Sequence, residues 1–217
     1  MDEQLLEKIQ RALPPYLSAE TKKELLAQLL RYPDNKNYYG TIPGETEPLQ
    51  GDGWRGFIVV NFHDAQRDAV LGLVVSNSCD IAAENEPDPD QCLLFAPMLD
   101  LDRYAALLQE AGKTPQQIGD LLADIRKQEI HRLFYLPPMP GMLGESIVRL
   151  DDVHAQPLSS IKPENIQRVF SLNQYGWYVL LIKLSIHFTR MAEHVEREFP
   201  EPPHAAAPRN YPGVPEV

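Results

Sequence analysis

Three short apolar runs, separated by polar loops, dominate the middle of the chain. They cover residues 54–62, 70–75 and 92–97, and they are rich in Val, Ile, Leu and Phe. Runs of this length, bounded by Asp, Asn, Ser and Pro, are typical of consecutive buried strands. Both faces of the first run are largely apolar, which indicates a strand in a closed or covered sheet. The pattern therefore predicts a small, strongly curved antiparallel barrel.

Two helical hairpins are predicted around these strands. Apolar residues recur at helical spacing in residues 2–13, and a second helix is expected to start at Ser18 as its N-cap. The second hairpin covers residues 102–130. In it Gly112 is expected to end the first helix, and Thr114, followed by proline, is expected to cap the second.

The C-terminal part of the chain combines two further strands with a long helix. Residues 131–136 and 146–150 have strand character, whereas from Pro163 to Met191 apolar residues recur every three or four positions. Residues 177–182 also suit a strand, since Val, Ile, Tyr and Trp favour strands. The length of the periodic stretch favours a helix.

These elements predict an α+β fold with three parts. Residues 1–50 hold the N-terminal helical hairpin and a connecting loop. Residues 51–192 hold the small antiparallel barrel, its helical insertion at 102–130 and the long C-terminal helix. Residues 193–217 form a proline-rich tail.

Composition and charge narrow the function classes. The 217 residues are 43% hydrophobic and 24% charged, as in an ordinary globular protein, and one domain is expected. The net charge of −11 disfavours broad electrostatic binding to nucleic acid, although a local basic groove stays compatible with it. The longest apolar run is far short of the ~18 residues that span a bilayer, so no membrane association is predicted.

The expected compartment is the cytoplasm. The chain starts with MDEQLLEKIQ, which lacks the basic start and apolar centre of a secretory signal. Its two cysteines, Cys79 and Cys92, are too few for a disulfide framework and are consistent with reduced thiols.

A cluster of small polar side chains follows the second apolar run, and we call it the polar pentad. Its members are Ser76, Asn77, Ser78, Cys79 and Asp80. Polar residues at the end of a buried strand are often placed for binding or catalysis, because the strand forms a rigid support. The pentad is therefore the first candidate site, with Ser76, Asn77 and Ser78 as candidate binding residues.

Two interpretations of the pentad differ in the role of Cys79. In the first, Cys79 is a nucleophile that is activated by a histidine such as His63 or His154. In the second, Asn77, Ser78 and Asp80 bond the local backbone through a turn, and Cys79 is buried as a small hydrophobic residue. The second is favoured, since buried cysteines are commoner than reactive ones.

No metal site and no cofactor are predicted. The histidines and cysteines contain no pair at the spacing of a zinc motif, although a site assembled from distant residues stays open. The acidic loop at 84–90 lacks the ligand spacing and the glycine of a calcium loop. The glycines stand outside any strand–glycine–helix context that would bind a nucleotide.

The order of the strands resembles the MazF/PemK family of toxin barrels. The resemblance lies in GDGWRGFIVVNF, LGLVVSN, LLFAPM and LGESIVRLDDVHAQPLSSI, followed by a C-terminal helix, and it covers roughly residues 51–192 apart from the insertion. Its most specific part is SIVRLDDVHAQPLSSI. The resemblance implies an SH3-like barrel, a homodimer, and sequence-selective cleavage of single-stranded RNA.

The catalytic residues of that family are not matched in this chain. The positions nearest to the family's arginine are Val70 and Leu71, and Leu99 stands where the family has a threonine or serine. Arg67 lies three residues upstream of the expected arginine. These departures favour a divergent toxin-type barrel that binds single-stranded RNA or a protein partner, such as an antitoxin-like protein, without the family's catalytic pair.

An alternative hypothesis is that the protein is catalytic and that its catalytic site lies at other residues than in the family. In that hypothesis the chain is a sequence-selective endoribonuclease of a toxin–antitoxin system, and its catalytic residues are Cys79, Asp80, Arg67 and His63. The sequence leaves open whether the protein is an enzyme.

Overall fold

The computed structural model describes residues 17–41, 47–61, 64–82, 84 and 91–189. Within these ranges the strands are β1 (Tyr39–Gly40), β2 (Asp52–Val60), β3 (Arg67–Val74), β4 (Cys92–Asp100), β5 (Leu133–Leu136), β6 (Ser146–Arg149), β7 (His154–Pro157) and β8 (Gln167–Leu172). The helices are α1 (Ala19–Leu29), α2 (Ser78–Ile81), α3 (Leu101–Glu110), α4 (Pro115–Arg126) and α5 (Gln174–Thr189). All three apolar runs are strands, as predicted.

The strands form one antiparallel sheet that curls into a half-barrel. Its order is β1-β8-β2-β3-β4-β6-β5, and β7 pairs with β4 off this path. The first half of β4 pairs with β7 and its second half pairs with β6. The curl brings β7 back to β2, where the Ile58 N–H donates a 3.0 Å hydrogen bond to Oε1 of Gln156. The mixed fold with an antiparallel sheet agrees with the sequence-based prediction.

Aromatic packing fills the inside of the curl. The rings of Phe57 on β2 and Phe95 on β4 are stacked with centroids 4.5 Å apart, and both side chains are fully buried. Gly72 on β3 makes room for this pair, since a Cβ there would lie 2.7 Å from the Phe95 ring. The close contact between three strands explains why a side chain is excluded at this position.

The helices lie against the sheet, and their predicted caps are present. Ser18 caps α1 by accepting a hydrogen bond from the Thr21 N–H, and Thr114 forms a capping box with Gln117 at the start of α4. Gly112 has the positive φ of 82° that ends α3. The insertion is therefore the predicted helical hairpin.

The prediction that the last helix begins at Pro163 is wrong. Residues Gln167–Leu172 form β8, which pairs with β2 on one edge and with β1 on the other. The apolar spacing through Phe170 is compatible with a helix, but two neighbouring strands supply backbone partners that a helix would not use. Helix α5 begins at Gln174, after Asn173 accepts a hydrogen bond from the Gly176 N–H. Residues 177–182 are helical, as predicted.

Some predicted elements lie outside the described residues. They are the helix at 2–13, most of the acidic loop and the tail at 193–217. The predicted loop between α1 and β2 contains the short strand β1, and its Tyr38 is fully buried. Among the helices that the structure describes, none combines the length and apolar character needed to cross a membrane.

Candidate functional site

One end of the half-barrel holds a pocket of about 420 Å³, which we call the end pocket. Three chain segments meet there: the loop that enters β2, the pentad after β3, and the junction of β8 with α5. Antiparallel pairing brings these segments together, because the start of β2 lies beside the last residues of β3 and of β8. Gly53 pairs with Leu73 on β3, and Asp52 pairs with Ser171 on β8.

The pentad folds as a capped turn, and its hydrogen bonds reach two other segments. Oδ1 of Asn77 accepts from the Cys79 N–H at 3.0 Å and caps the single turn of α2. Oγ of Ser76 accepts from the Leu94 N–H at 2.8 Å, and Oγ of Ser78 accepts from the Gln50 N–H at 2.9 Å. The two serines therefore anchor the turn to β4 and to the loop before β2.

The expectation that Cys79 is buried is wrong. Its side chain is exposed and lines the end pocket, together with Asn77 and Ser78. Helix α2 is one turn at the surface, and it is Ile81 that faces the core, with 8% of its surface exposed. Cys79, two residues earlier, consequently points away from the core. Asp80 is also exposed.

The structure does not bring Arg67 to the pentad. Arg67 opens β3 and pairs with Val60, whereas the pentad follows the other end of that strand. At the usual rise per residue, β3 spans ~25 Å. His63 lies outside the described residues, and His154 stacks on Phe95 and contacts Asp152 Oδ1 at 3.1 Å. The relocated catalytic set is thus not one cluster in the described residues.

The positions at which the sequence resemblance places the family's catalytic residues are half-buried parts of the sheet. Val70 and Leu71 lie within β3. Leu99 pairs with Ile147 across β4 and β6 and packs in an apolar cluster. None of these side chains can carry a charge or donate a proton.

No pattern in the sequence pointed to Asp52, which forms part of the pocket wall and is 1% exposed. Its Oδ2 atom accepts hydrogen bonds from the Leu49 N–H and from Nε1 of Trp54, and Nη1 of Arg168 lies 3.8 Å away. Burial raises the pKa of this carboxyl, although the hydrogen bonds and Arg168 oppose the shift. Asp52 holds the pocket wall together.

Four side-chain amides line the pocket, and three of them, including the Asn77 amide that caps α2, are used within the protein. Gln50 donates to the Val75 carbonyl at 2.8 Å and accepts from Trp177, while Asn173 donates to the Asn37 carbonyl at 2.9 Å. The fourth is Gln174. Its Nε2 atom is buried and has no hydrogen-bond partner within the described part of the chain.

The end pocket offers polar but mostly uncharged groups. Among the described residues that line it, Asp52 is the one ionisable carboxyl, and none is Lys, Arg or His. No cluster of three or more His, Cys, Asp or Glu suited to a metal ion occurs in the described ranges. Such a lining suits a neutral polar group better than a phosphate, which needs cationic partners.

Comparison with known proteins does not show a family for this chain. The sequence matches no protein-family model, and no curated protein matches it either. The MazF/PemK resemblance therefore stays a prediction, and the function has to be argued from the geometry of the end pocket.

Proposed function

We propose that this chain is a non-catalytic binding protein, built on a divergent SH3-like barrel of the MazF/PemK type, whose end pocket receives an uncharged group of a protein partner. The observation that carries the proposal is the lining of the pocket, which offers amide, hydroxyl and thiol groups and, in the part of the chain that the structure describes, no cationic side chain. Five strands support the barrel assignment, since β8, β2, β3, β4 and β7 follow one another around the curl.

RNA cleavage of the family's type requires groups that the described residues of this site do not supply. The ribose hydroxyl attacks the phosphate, so the protein has to supply a base and a cation for the developing charge. Val70 and Leu99 supply neither, and Arg67 lies at the far end of β3. None of the described residues that line the pocket beside the exposed Cys79 thiol is cationic.

A protein partner suits the site better than single-stranded RNA. The chain carries a net charge of −11, which repels a phosphate backbone. The pocket also combines apolar walls, formed by Leu49, Leu172 and Trp177, with amide groups. A mixed lining of this kind is typical of sites that bind small, partly apolar groups.

The first test addresses RNA. We expect purified protein to produce no fragments from a long mixed-sequence RNA without added metal. We also expect it to bind none of this RNA at about 0.15 M salt. Arg67→Ala and Cys79→Ala are digested in parallel. Sequence-selective fragments from the unmodified protein that vanish in either variant would restore the endoribonuclease hypothesis.

The second test addresses binding through the pocket. We expect immobilised protein to enrich a subset of a short random-peptide library, and alkylation of Cys79 with a bulky maleimide to abolish their binding. The control variant Cys79→Ser, treated with the same reagent, should still bind the enriched peptides because it has no thiol in the pocket. Enrichment no greater than on a blank surface would contradict the proposal.

A further inference from the structure

Two residues of the pentad present hydrogen-bond donors to the end pocket. The Ser78 hydroxyl accepts from the Gln50 N–H, so its own hydrogen can be donated. The Asn77 amide uses its oxygen to cap α2, which leaves its N–H groups as donors. Asn77 is exposed and Ser78 is half-buried, so an occupant of the pocket can reach both. Such an occupant has to supply acceptors, and carbonyl oxygens are the neutral acceptors of a polypeptide.

The apolar walls of the pocket favour an occupant rich in proline. Leu49, Leu172 and Trp177 come from three separate segments and line the same space as the donors. A proline ring is apolar, and proline has no backbone N–H that would compete for an acceptor. In an extended proline-rich segment the carbonyl oxygens have no partner within the segment. Grooves lined by aromatic side chains bind such segments with little loss of conformational entropy.

This chain contains a segment of that composition after α5. Residues 202–208 read PPHAAAP and contain no Asp, Glu, Lys or Arg. The stretch before them, residues 193–201, reads EHVEREFPE and has four Glu and one Arg. Transfer of a charged side chain into a pocket without a counter-charge is unfavourable. The mostly uncharged lining of the end pocket therefore suits residues 202–208 and excludes the charged stretch.

The connection between the pocket and this segment is long enough. Gln174 and Trp177 line the pocket at the start of α5, and the 16 residues of the helix place its end ~24 Å away. Pro202 stands 13 residues after Thr189, a length of chain that spans up to ~45 Å. The residues after Thr189 lie outside the described part of the chain. Short tethers give an effective concentration of about 1 mM, so a Kd of that order keeps the pocket half occupied.

From this combination we infer that residues 202–208 bind reversibly in the end pocket of the same chain, and that a partner has to displace them. A proline ring of the segment lies between Leu49, Leu172 and Trp177, and a carbonyl oxygen accepts from Ser78. The inference rests on the proposed function, because both take the end pocket to be a binding site. It adds the chain's own tail as the competitor of the partner.

The experiment measures how often the tail visits the pocket in the full chain. Ala206→Cys is combined with Cys92→Ser, so that Cys79 in the pocket and the new thiol in the tail are the two cysteines present. In glutathione buffers of known ratio, the fraction that forms the intramolecular disulfide gives the effective concentration of the two thiols. Pro208→Glu places a charge inside the segment and should lower this concentration about tenfold. Pro215→Glu makes the same change outside the segment and should leave it unaltered.

Peptide binding separates this inference from the proposed function. For a peptide enriched by the full chain, fluorescence anisotropy should give a several-fold lower Kd with Pro208→Glu than with Pro215→Glu, since the tail no longer competes. Equal effective concentrations in the two variants, or equal peptide affinities, would overturn the inference and leave the proposed function standing. If neither the unmodified protein nor Pro208→Glu enriches a peptide, the proposed function fails, and the disulfide measurement still decides whether the tail binds.

Discussion

Nε1 of Trp177 donates a 3.1 Å hydrogen bond to Oε1 of Gln50, and this bond ties the first turn of α5 to the loop that enters β2. The same Gln50 side chain donates from Nε2 to the Val75 carbonyl at the end of β3. One amide therefore connects the three segments that form the end pocket. The shape of the pocket depends on a residue that is itself part of its lining.

The first prediction follows from this connection. Gln50→Leu removes both hydrogen bonds and leaves their partners in a half-buried site, so we expect the free energy of unfolding in urea to fall by about 1–3 kcal/mol. Trp177→Phe removes only one of the two bonds and should cost about 1 kcal/mol. Equal losses in the two variants would show that the bond to Val75 contributes nothing.

The second prediction concerns two glycines in helices. A Cβ at Gly176 would lie 2.5 Å from the carbonyl oxygen of Tyr38, whereas a Cβ at Gly119 would meet nothing within 4 Å. Gly176→Ala should therefore lower the free energy of unfolding by about 2 kcal/mol or more. Gly119→Ala, inside α4, should raise it by about 0.5–1 kcal/mol. The two variants distinguish the effect of close backbone packing from that of helix propensity. An unfolding free energy for Gly176→Ala as high as that for Gly119→Ala would show that the contact with Tyr38 does not exclude a side chain.

The third prediction concerns pH. Lys183 is 2% exposed, and its Nζ donates to the carbonyls of Gln128 and Ile130 at 2.9 and 2.7 Å. Burial lowers the pKa of this amine from 10.5 to about 8. Between pH 8 and 10 the unfolded chain therefore binds more protons at this residue than the folded chain does. The contribution of Lys183 to the free energy of unfolding should rise over that range, by no more than about 3 kcal/mol.

The measurement compares urea unfolding of the unmodified protein and of Lys183→Met from pH 7 to pH 10. The difference in unfolding free energy should move in favour of the unmodified protein as pH rises. Tyrosines also titrate near the upper limit, and burial raises the pKa of Tyr32 to about 12. Their effect is shared by both proteins and cancels in the difference. A difference that stays constant with pH would show that the pKa of Lys183 is not lowered.

The fourth prediction concerns the two thiols. Cys79 is exposed in the end pocket, whereas Cys92 is half-buried at the start of β4. In the native protein, a maleimide should label Cys92→Ser, which keeps Cys79, faster than Cys79→Ser, which keeps Cys92. Mass spectrometry at successive times measures both rates, and unfolding in urea should make them similar. Slow labelling of Cys92→Ser in the native state would support the buried thiol that the sequence suggested.

The fifth prediction concerns assembly. Helix α5 carries exposed apolar side chains, with 47% of Ile182, 39% of Ile186 and 62% of Phe188 accessible to solvent. Apolar surface of this kind on a helix is typical of an interface, and we expect α5 to pack against a second copy of the chain. Light scattering should give the mass of a dimer at tens of micromolar, and Ile182→Glu should give a monomer. Leu107→Glu, a comparably exposed residue on α3, is the control and should stay dimeric.

The sequence alone was sufficient where local chemistry decides the structure. The apolar runs of β2, β3 and β4 are bounded by polar loops, and the N-caps Ser18 and Thr114 hydrogen-bond within their own first turns. These features depend on neighbours a few residues away, so the periodicity and the capping residues contain the necessary information. An antiparallel sheet was predicted from the same runs, although its strand order depends on pairing between distant segments.

Tertiary structure decided what depends on distant partners. Residues Gln167–Leu172 have an apolar spacing that suits a helix, yet they form β8 because β1 and β2 offer backbone hydrogen bonds on both edges. Cys79 is exposed because Ile81 occupies the inward position of α2, which no local pattern distinguishes. The end pocket brings together positions as far apart in sequence as Gln50 and Trp177. Its mostly uncharged lining arises only from that meeting, because burial and hydrogen-bond partners are properties of the packed chain and not of the sequence around each residue.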